Sequence, residues 1–287
     1  MYSYTLRFQN FVSLYLGAFR SITVFGQAQA FSDPIGADPP EADEYMFPIK
    51  DYIPRRHAPV ALWLIIAANT VVFLYELSLP EAQLNQLFHI LGVVPARYFH
   101  PEWAAWAGFP NTAGLPFVAH MFLHSGFFHF VLNMWILAVF ADNIEDVMGP
   151  LRFVLFYLSC GLLALLGHAV FFSQSTVPVI GASGAIAGMM GAYLRLYPQA
   201  QVLTLIPIFI FPLFLNLPAL VFLGLWFLMQ FTSGVAATVG AQGAGGVAWW
   251  AHAFGFVAGL LLIPLFKVNA RCYYCHPRSG KDDFRFR

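Results

Sequence analysis

Apolar residues in this chain come in long runs broken by short polar, proline or glycine stretches, the pattern of repeated membrane spans. Six spans are expected. The first covers about residues 60–77. A long segment from about 80 to 123 follows, and its Trp103, Trp106, Phe109 and Pro110 suit a loop partly embedded at the membrane interface. Ser125 is placed to cap a second helix over about 126–147, which Gly149 and Pro150 end. The third span runs to about residue 172, and the fourth begins near Ser183 and stops before Pro198. Residues 202–231 are too long for one span and carry Pro207, Pro212 and Pro218. An embedded or interfacial loop should therefore precede a fifth helix starting near Leu217. The Gly-rich stretch from Gly240 to Gly246 leads into a sixth span over about 247–266. The expectation is an all-α membrane protein: an N-terminal segment and linker over 1–58, a six-span domain over 59–267 and a basic tail over 268–287.

Composition strengthens this reading. The chain is 59% hydrophobic and 10% charged, against about 25% charged in a soluble domain. Its formal net charge is zero, so the lipid bilayer is an expected partner and nucleic acid is not. Lys and Arg set the orientation. Lys50, Arg55 and Arg56 precede span one, Arg152 and Arg195 fall in the second and fourth connections, and Lys267, Arg271, Arg278, Lys281, Arg285 and Arg287 follow span six. Only Arg97 falls on the other side, so both termini are expected in the cytoplasm. Near the start, Arg7, Arg20 and several serines with no acid before Asp33 resemble a transit peptide, and Asp33 to Glu44 reads as linker. Cys160 reads as a packing residue. Cys272 and Cys275 are expected to lie reduced in a cytoplasmic tail, with a metal or redox role as the alternative.

Polar groups inside hydrocarbon are costly, so each is a functional hypothesis. Three clusters stand out. In Gly181-Ala182-Ser183-Gly184 a serine opens a helix, where free N–H groups can stabilise an oxyanion. It lacks the G-x-S-x-G elbow of soluble hydrolases, because Ala185 holds the last position. In Ala251-His252-Ala253-Phe254-Gly255, Gly255 and Gly259 give the histidine's helix a small-residue face that lets it approach span four. In the stretch from His124 to Asn133, His129 and Asn133 share one helix face, and both are oxyanion donors. Taken singly, each has an ordinary explanation: Gly184, Gly188 and Gly191 as packing residues, and His252 bonded to a carbonyl. Topology joins them. Spans two, four and six all enter from one side, and at about 1.5 Å per residue His129, Asn133 and His252 lie roughly 5–12 Å inside that face. Ser183 reaches similar depth if the segment from Ser175 dips in.

With these motifs in this order, the chain resembles the rhomboid intramembrane proteases over about residues 46–267. The resemblance rests on HSGFFHFVLN (124–133), Glu145 with Gly149, GASG (181–184) and AHAFGFVAG (251–259). It implies a six-helix bundle with an embedded first external loop and a Ser–His dyad without aspartate, carried by Ser183 and His252. It implies oxyanion roles for His129 and Asn133, with His124 supporting, and structural roles for Gly181, Gly184, Gly255, Gly259 and Glu145. No cofactor or metal is implied. The expected activity is hydrolysis of a transmembrane protein substrate near the non-cytoplasmic end of its span. A chain starting at Met46 would correspond to a compact bacterial form, and a bacterial inner membrane is the expected location. The sequence departs from the family pattern twice. Ala187 stands where some members stack a tyrosine on the histidine, leaving Trp249 or Trp250 to orient His252. A Trp-Arg pair of the first external loop is absent, with Arg97-Tyr98 as its stand-in.

Three other readings compete. A transporter needs acids or a continuous polar path, and the spans are read as holding neither. A proteolytically dead relative would lack the serine or histidine. A metal enzyme could use His120, His124 and His129, but no H-E-x-x-H is present.

Overall fold

The computed structural model describes residues 46–112, 114–208, 211–239 and 248–275. The expectations on the transit-like segment, the linker to Glu44, the Gly-rich stretch and the tail from residue 276 lie outside the described residues. Strand β1 (Phe47–Asp51) leads to α1 (Val60–Leu77), then to four short helices, α2 (Glu81–Leu91), α3 (Pro95–Phe99), α4 (Pro101–Trp106) and α5 (Pro116–Ala119). Helices α6 (Phe127–Met148), α7 (Pro150–Phe171) and α8 (Ser183–Leu196) follow. Strands β2 (Gln201–Ile208) and β3 (Phe211–Pro218) then precede α9 (Ala219–Val239) and α10 (Trp249–Phe266).

Five of these helices, α1, α6, α7, α9 and α10, are long and apolar enough to cross a membrane. Helix α8 has 14 residues, about 21 Å at 1.5 Å per residue, short of the ~30 Å hydrocarbon layer. The six full spans expected are thus five plus a short central helix. Helix α8 tolerates its length because it faces protein: every residue from Gly184 to Tyr193 is buried. The first external connection is a run of short helices rather than a single loop. Arg97 knits it, donating to Ile90 O at 3.4 Å, to Thr112 Oγ1 at 2.7 Å and to Pro110 O.

The chain is mostly helical, but the all-α expectation fails at a three-stranded antiparallel sheet in the order β1-β2-β3. Residues 201–218 are rich in β-branched, leucine and phenylalanine side chains, and their prolines forbid a helix. Pro207 pairs with Pro212. Neither has an N–H, so the two occupy a site of the ladder that needs no hydrogen bond. Pro212 and Pro218 then share the outward parity of edge strand β3, leaving Phe214 and Asn216 as its outward donors. That economy suits an edge beside lipid, where each orphan N–H costs several kcal/mol. On the other side, β1 pairs with β2 and lies along α6. Trp135 Nε1–H donates to Pro48 O at 2.8 Å, and Asn143 donates to Asp51 at 2.7 Å. The sheet therefore bridges α6 and α9.

Buried acids tie the helix ends where the chain's basic residues gather. Glu145 accepts the N–H groups of Ala61 at 2.9 Å and Leu62 at 2.7 Å, so a side chain of α6 caps α1. Asp146 accepts the N–H groups of Arg56 at 2.8 Å and His57 at 2.9 Å. Asp51 accepts from Asn143 and, at 2.7 Å, from the Tyr193 hydroxyl of α8. Beyond α10, Cys272 and Cys275 form a disulfide, which corrects the expected reduced tail; their Cα atoms stand 5.4 Å apart, within bridging range.

Burial pushes the Asp51 carboxyl up to about 6, against the opposing pull of its Tyr193 hydrogen bond. An acid whose folded pKa exceeds its unfolded value near 4 binds more protons when folded. The stability it contributes is present below about pH 4 and is lost as pH rises to about 6. Asp51→Asn keeps an oxygen for both donors and removes this dependence. Thermal unfolding in detergent should show the advantage of Asp51→Asn over wild type growing from pH 4 to 6 and levelling above that. A difference that stays flat with pH would contradict the assignment.

Candidate active site

Ser183 is the first residue of α8, at the end of the bundle opposite Met148 and Phe266. Its approach is pinned from the first external connection. Val179 and Val93 exchange N–H···O bonds at 2.8 and 3.1 Å, Ala96 N–H donates to Ser175 O at 2.9 Å, and Gly181 N–H donates to His120 O at 2.8 Å. Gly181 holds φ +117°, and a β-carbon there would stand 2.8 Å from the His129 ring. Both facts require glycine.

Glycines then set the depth at which α8 and α10 touch. A β-carbon at Gly255 would overlap the Gly184 carbonyl, one at Gly259 would overlap the Gly188 carbonyl, and one at Gly191 would overlap the Phe256 carbonyl. Gly184 itself faces Ala164 of α7. The two backbones meet with no side chain between them. His252, one turn into α10, consequently reaches Ser183: its Nε2 lies 2.8 Å from Ser183 Oγ. On the far side of the ring, Nδ1 lies 2.7 Å from Gln230 Oε1 of α9. Of the two tryptophans expected to orient this ring, one touches it and the other does not. Trp249 is edge-on to it at 6.4 Å, while Trp250 stacks on Phe171 at 4.1 Å and donates to Thr238. Trp226 flanks the ring at 6.1 Å.

His129 and Asn133 come from the first two turns of α6. Ser125 does not cap this helix with its side chain; Gly126 is the N-cap. Instead the Ser125 N–H donates to His129 Nδ1 at 3.3 Å, with Ser125 Oγ at 3.0 Å from the same atom. A nitrogen that accepts an N–H is the unprotonated one, so His129 carries its proton on Nε2, the edge packed against Gly181. Asn133 spends one amide hydrogen on His129 O at 2.8 Å and keeps a second. His124 sits one layer back, its ring edge-on to His129 at 5.2 Å. Among the described residues neither His124 ring nitrogen has a hydrogen-bond partner. No group of three or more His, Cys, Asp or Glu side chains gathers among them to hold a metal.

Two residues escaped the sequence reading. Glu76, 2% exposed near the end of α1, accepts the His124 N–H at 3.1 Å. This corrects the expectation that the spans hold no acid. Gln230 was the other. Each is a strongly polar group in a mostly apolar run, a signal present in the sequence.

A Rhomboid domain family model matches residues 112–268. The chain is similar to the mitochondrial presenilin-associated rhomboid-like protein A of Danio rerio, 32% identical over 150 residues, which is 51% of this chain and 35% of that protein. It is similar to the mitochondrial RHOMBOID-like protein 6 of Arabidopsis thaliana, 38% identical over 77 residues, 27% of this chain and 24% of that one. It is also similar to YdcA of Bacillus subtilis, named as a candidate rhomboid protease, at 36% identity over 87 residues, 30% of this chain and 43% of that one. In each case the match spans less than half the relative's own length.

The glycine contacts yield a paired prediction. Gly255→Ala should lower stability by about 1–3 kcal/mol or more through overpacking against α8. Gly224→Ala, in α9 where a β-carbon meets nothing within 4 Å, should leave stability unchanged or raise it by about 0.5–1 kcal/mol. Thermal unfolding of both variants in detergent checks this; equal effects would show that backbone proximity is unimportant.

Proposed function

The chain belongs to the rhomboid family, and from that membership we propose that it is an intramembrane serine endopeptidase with Ser183 as nucleophile and His252 as general base. The observation that carries this reading is the 2.8 Å contact between His252 Nε2 and Ser183 Oγ inside a helix bundle. That contact is the hydrogen bond between nucleophile and base through which a serine is activated.

The chemistry follows from the geometry. His252 Nε2 removes the Ser183 hydroxyl proton as Oγ bonds to a substrate peptide carbonyl carbon. The carbonyl oxygen takes up negative charge. The free N–H groups of the first turn of α8, the His129 Nε2–H and the second Asn133 amide hydrogen are the donors suited to it. The C–N bond breaks, and His252 passes its proton to the departing amine. Water then attacks the ester carbon and gives a proton to His252; as the bond between that carbon and Oγ breaks, His252 returns the proton to Ser183 Oγ, and the acid product ionises to a carboxylate. His124 supports His129 from behind. The basic end of the bundle faces the cytoplasm of a bacterial inner membrane, and the short helices around Trp106, 85% exposed, lie in the opposite interface.

The dyad has a direct test. Ser183→Ala and His252→Ala should each abolish cleavage of a model transmembrane substrate while the protein still inserts, and the double variant should be no slower than either. A fluorophosphonate should label wild type and not Ser183→Ala, and chelators should change nothing. Substantial cleavage by Ser183→Ala would refute the assignment, and activity lost to chelation and restored by zinc or iron would favour a metal enzyme.

The depth of the site predicts where the substrate is cut. Ser183 opens its helix at the end away from the basic residues, so the scissile bond lies in the non-cytoplasmic half of the substrate's span. A helix hides its carbonyls, so Gly or Pro nearby should help by easing local unwinding. Small residues, Ala, Ser or Gly, should be preferred before the cut among these glycine-faced helices. Product masses from a model substrate decide this; a cut in the cytoplasmic half would overturn the proposed orientation.

A further inference from the structure

Helix α9 carries a single side-chain amide, Gln230, in a run of leucine, methionine and aromatic residues. Its neighbours Met229 and Phe231 are 48% and 43% exposed, yet Gln230 is 3% exposed. The amide is turned into the bundle, where an unpaired polar group would be costly. Its Oε1 meets His252 Nδ1 at 2.7 Å, while the opposite nitrogen of the same ring meets Ser183 Oγ at 2.8 Å. Three side chains from three helices therefore stand in line: Ser183 of α8, His252 of α10 and Gln230 of α9.

The chemistry of the two ring nitrogens gives this line a direction. An amide oxygen has no proton to give, so the contact places the imidazole proton on Nδ1. The lone pair is then on Nε2, facing the serine, which is the only neutral form able to accept the hydroxyl proton. When that proton arrives, Nδ1–H still points at the amide dipole, which steadies the cation without itself gaining or losing a proton. The flanking rings of Trp226 and Trp249 offer no acceptor that could do this. We propose that Gln230 is a positioning residue for His252, fixing its tautomer and ring orientation, and that the base is competent only while α9 is docked against α10. The proposal rests on the serine-protease reading, and its test separates the two.

The test uses the full chain, purified in detergent with nitrogen-15 histidine, the His252 ring signals being assigned by their absence from His252→Ala. In wild type the His252 ring should be the neutral form protonated at Nδ1. In Gln230→Leu that form should give way to a mixture or to the form protonated at Nε2. Turnover of a model transmembrane substrate by Gln230→Leu should fall about 10- to 100-fold in kcat with KM unchanged, and fluorophosphonate labelling should slow by the same factor. Gln230→Glu keeps an acceptor oxygen at the same reach. It should retain the Nδ1 proton and stay within about threefold of wild type. A wild-type ring protonated at Nε2 would overturn the proposal, as would full activity in Gln230→Leu or a Gln230→Glu variant as slow as the leucine one. The wild-type spectrum decides the point even where the leucine variant fails to fold. If wild type and Ser183→Ala are equally inert toward substrate and probe, the protease reading fails, and the ring spectrum still judges the tautomer.

Discussion

The approach of α8 to α10 is the constraint on which the rest of this structure depends. Two membrane helices with ordinary side chains pack at 8–10 Å between axes. Here Gly184 and Gly188 present carbonyls to Gly255 and Gly259 with no room for even a methyl group. At this separation the short serine side chain reaches the imidazole on the next helix, at 2.8 Å. The same closeness explains why α8 can stop at 14 residues. A helix encased on all sides by others need not match the bilayer, and its ends are free to serve other purposes. One end becomes the turn that exposes Ser183; the other places Tyr193 against Asp51.

Because lipid offers no hydrogen bonds, the ends of these helices are closed by protein groups, and carboxylates do much of that closing. Glu145 and Asp146 on α6 each accept two backbone N–H groups from the segment that opens α1. A buried carboxylate is expensive alone, but two charge-assisted bonds offset much of its desolvation, at roughly 1.5–3 kcal/mol each. Removing Glu145 would strand the N–H groups of the buried Ala61 and Leu62. Glu76 plays the matching part at the other end, where it holds the backbone of His124 and so the entry to α6. The positions of His129 and Asn133 thus rest on an acid in α1 that does not touch the Ser183–His252 pair.

What could be read in the sequence was what repeats locally. Apolar run lengths mark α1, α6, α7, α9 and α10, and the spacing of glycines 184, 188 and 191 against 255 and 259 announces close helix contact. What could not be read was pairing across long separations. Phe47 meets Leu205 in the sheet, and nothing in Met46 to Asp51 alone names a partner more than 150 residues away. Prolines 207, 212 and 218 excluded a helix but did not say whether a loop or a hairpin replaced it; the opposition of Pro207 and Pro212 decides for the hairpin. Ser125 has the residue type of a cap, but a local contact with His129, four residues on, takes its hydroxyl instead. Gln230 was overlooked for a similar reason: one amide in twenty-one residues barely alters hydropathy, and its importance lies entirely in which nitrogen it faces.

Support for His252 is therefore divided between two kinds of neighbour. Its distance from Ser183 is set by α8 and α10, whose glycine-packed backbones hold one separation rigidly. Its tautomer and tilt are set from α9, which buries 28% of its span against 44% for α10 and 56% for α7. Of the five span-length helices, α9 has the smallest buried share. It is held at one end through β3 and the sheet to α6, and along its length by contacts such as Phe227 on Phe256 at 4.9 Å and Trp250 on Thr238. A displacement of α9 would leave Ser183 and His252 within reach of each other and remove both the carbonyl that keeps the Nε2 lone pair turned toward the serine and the flanking ring of Trp226. Proximity and proton direction are thus separable in this bundle: the rigid helix pair supplies the first, and the less buried helix supplies the second.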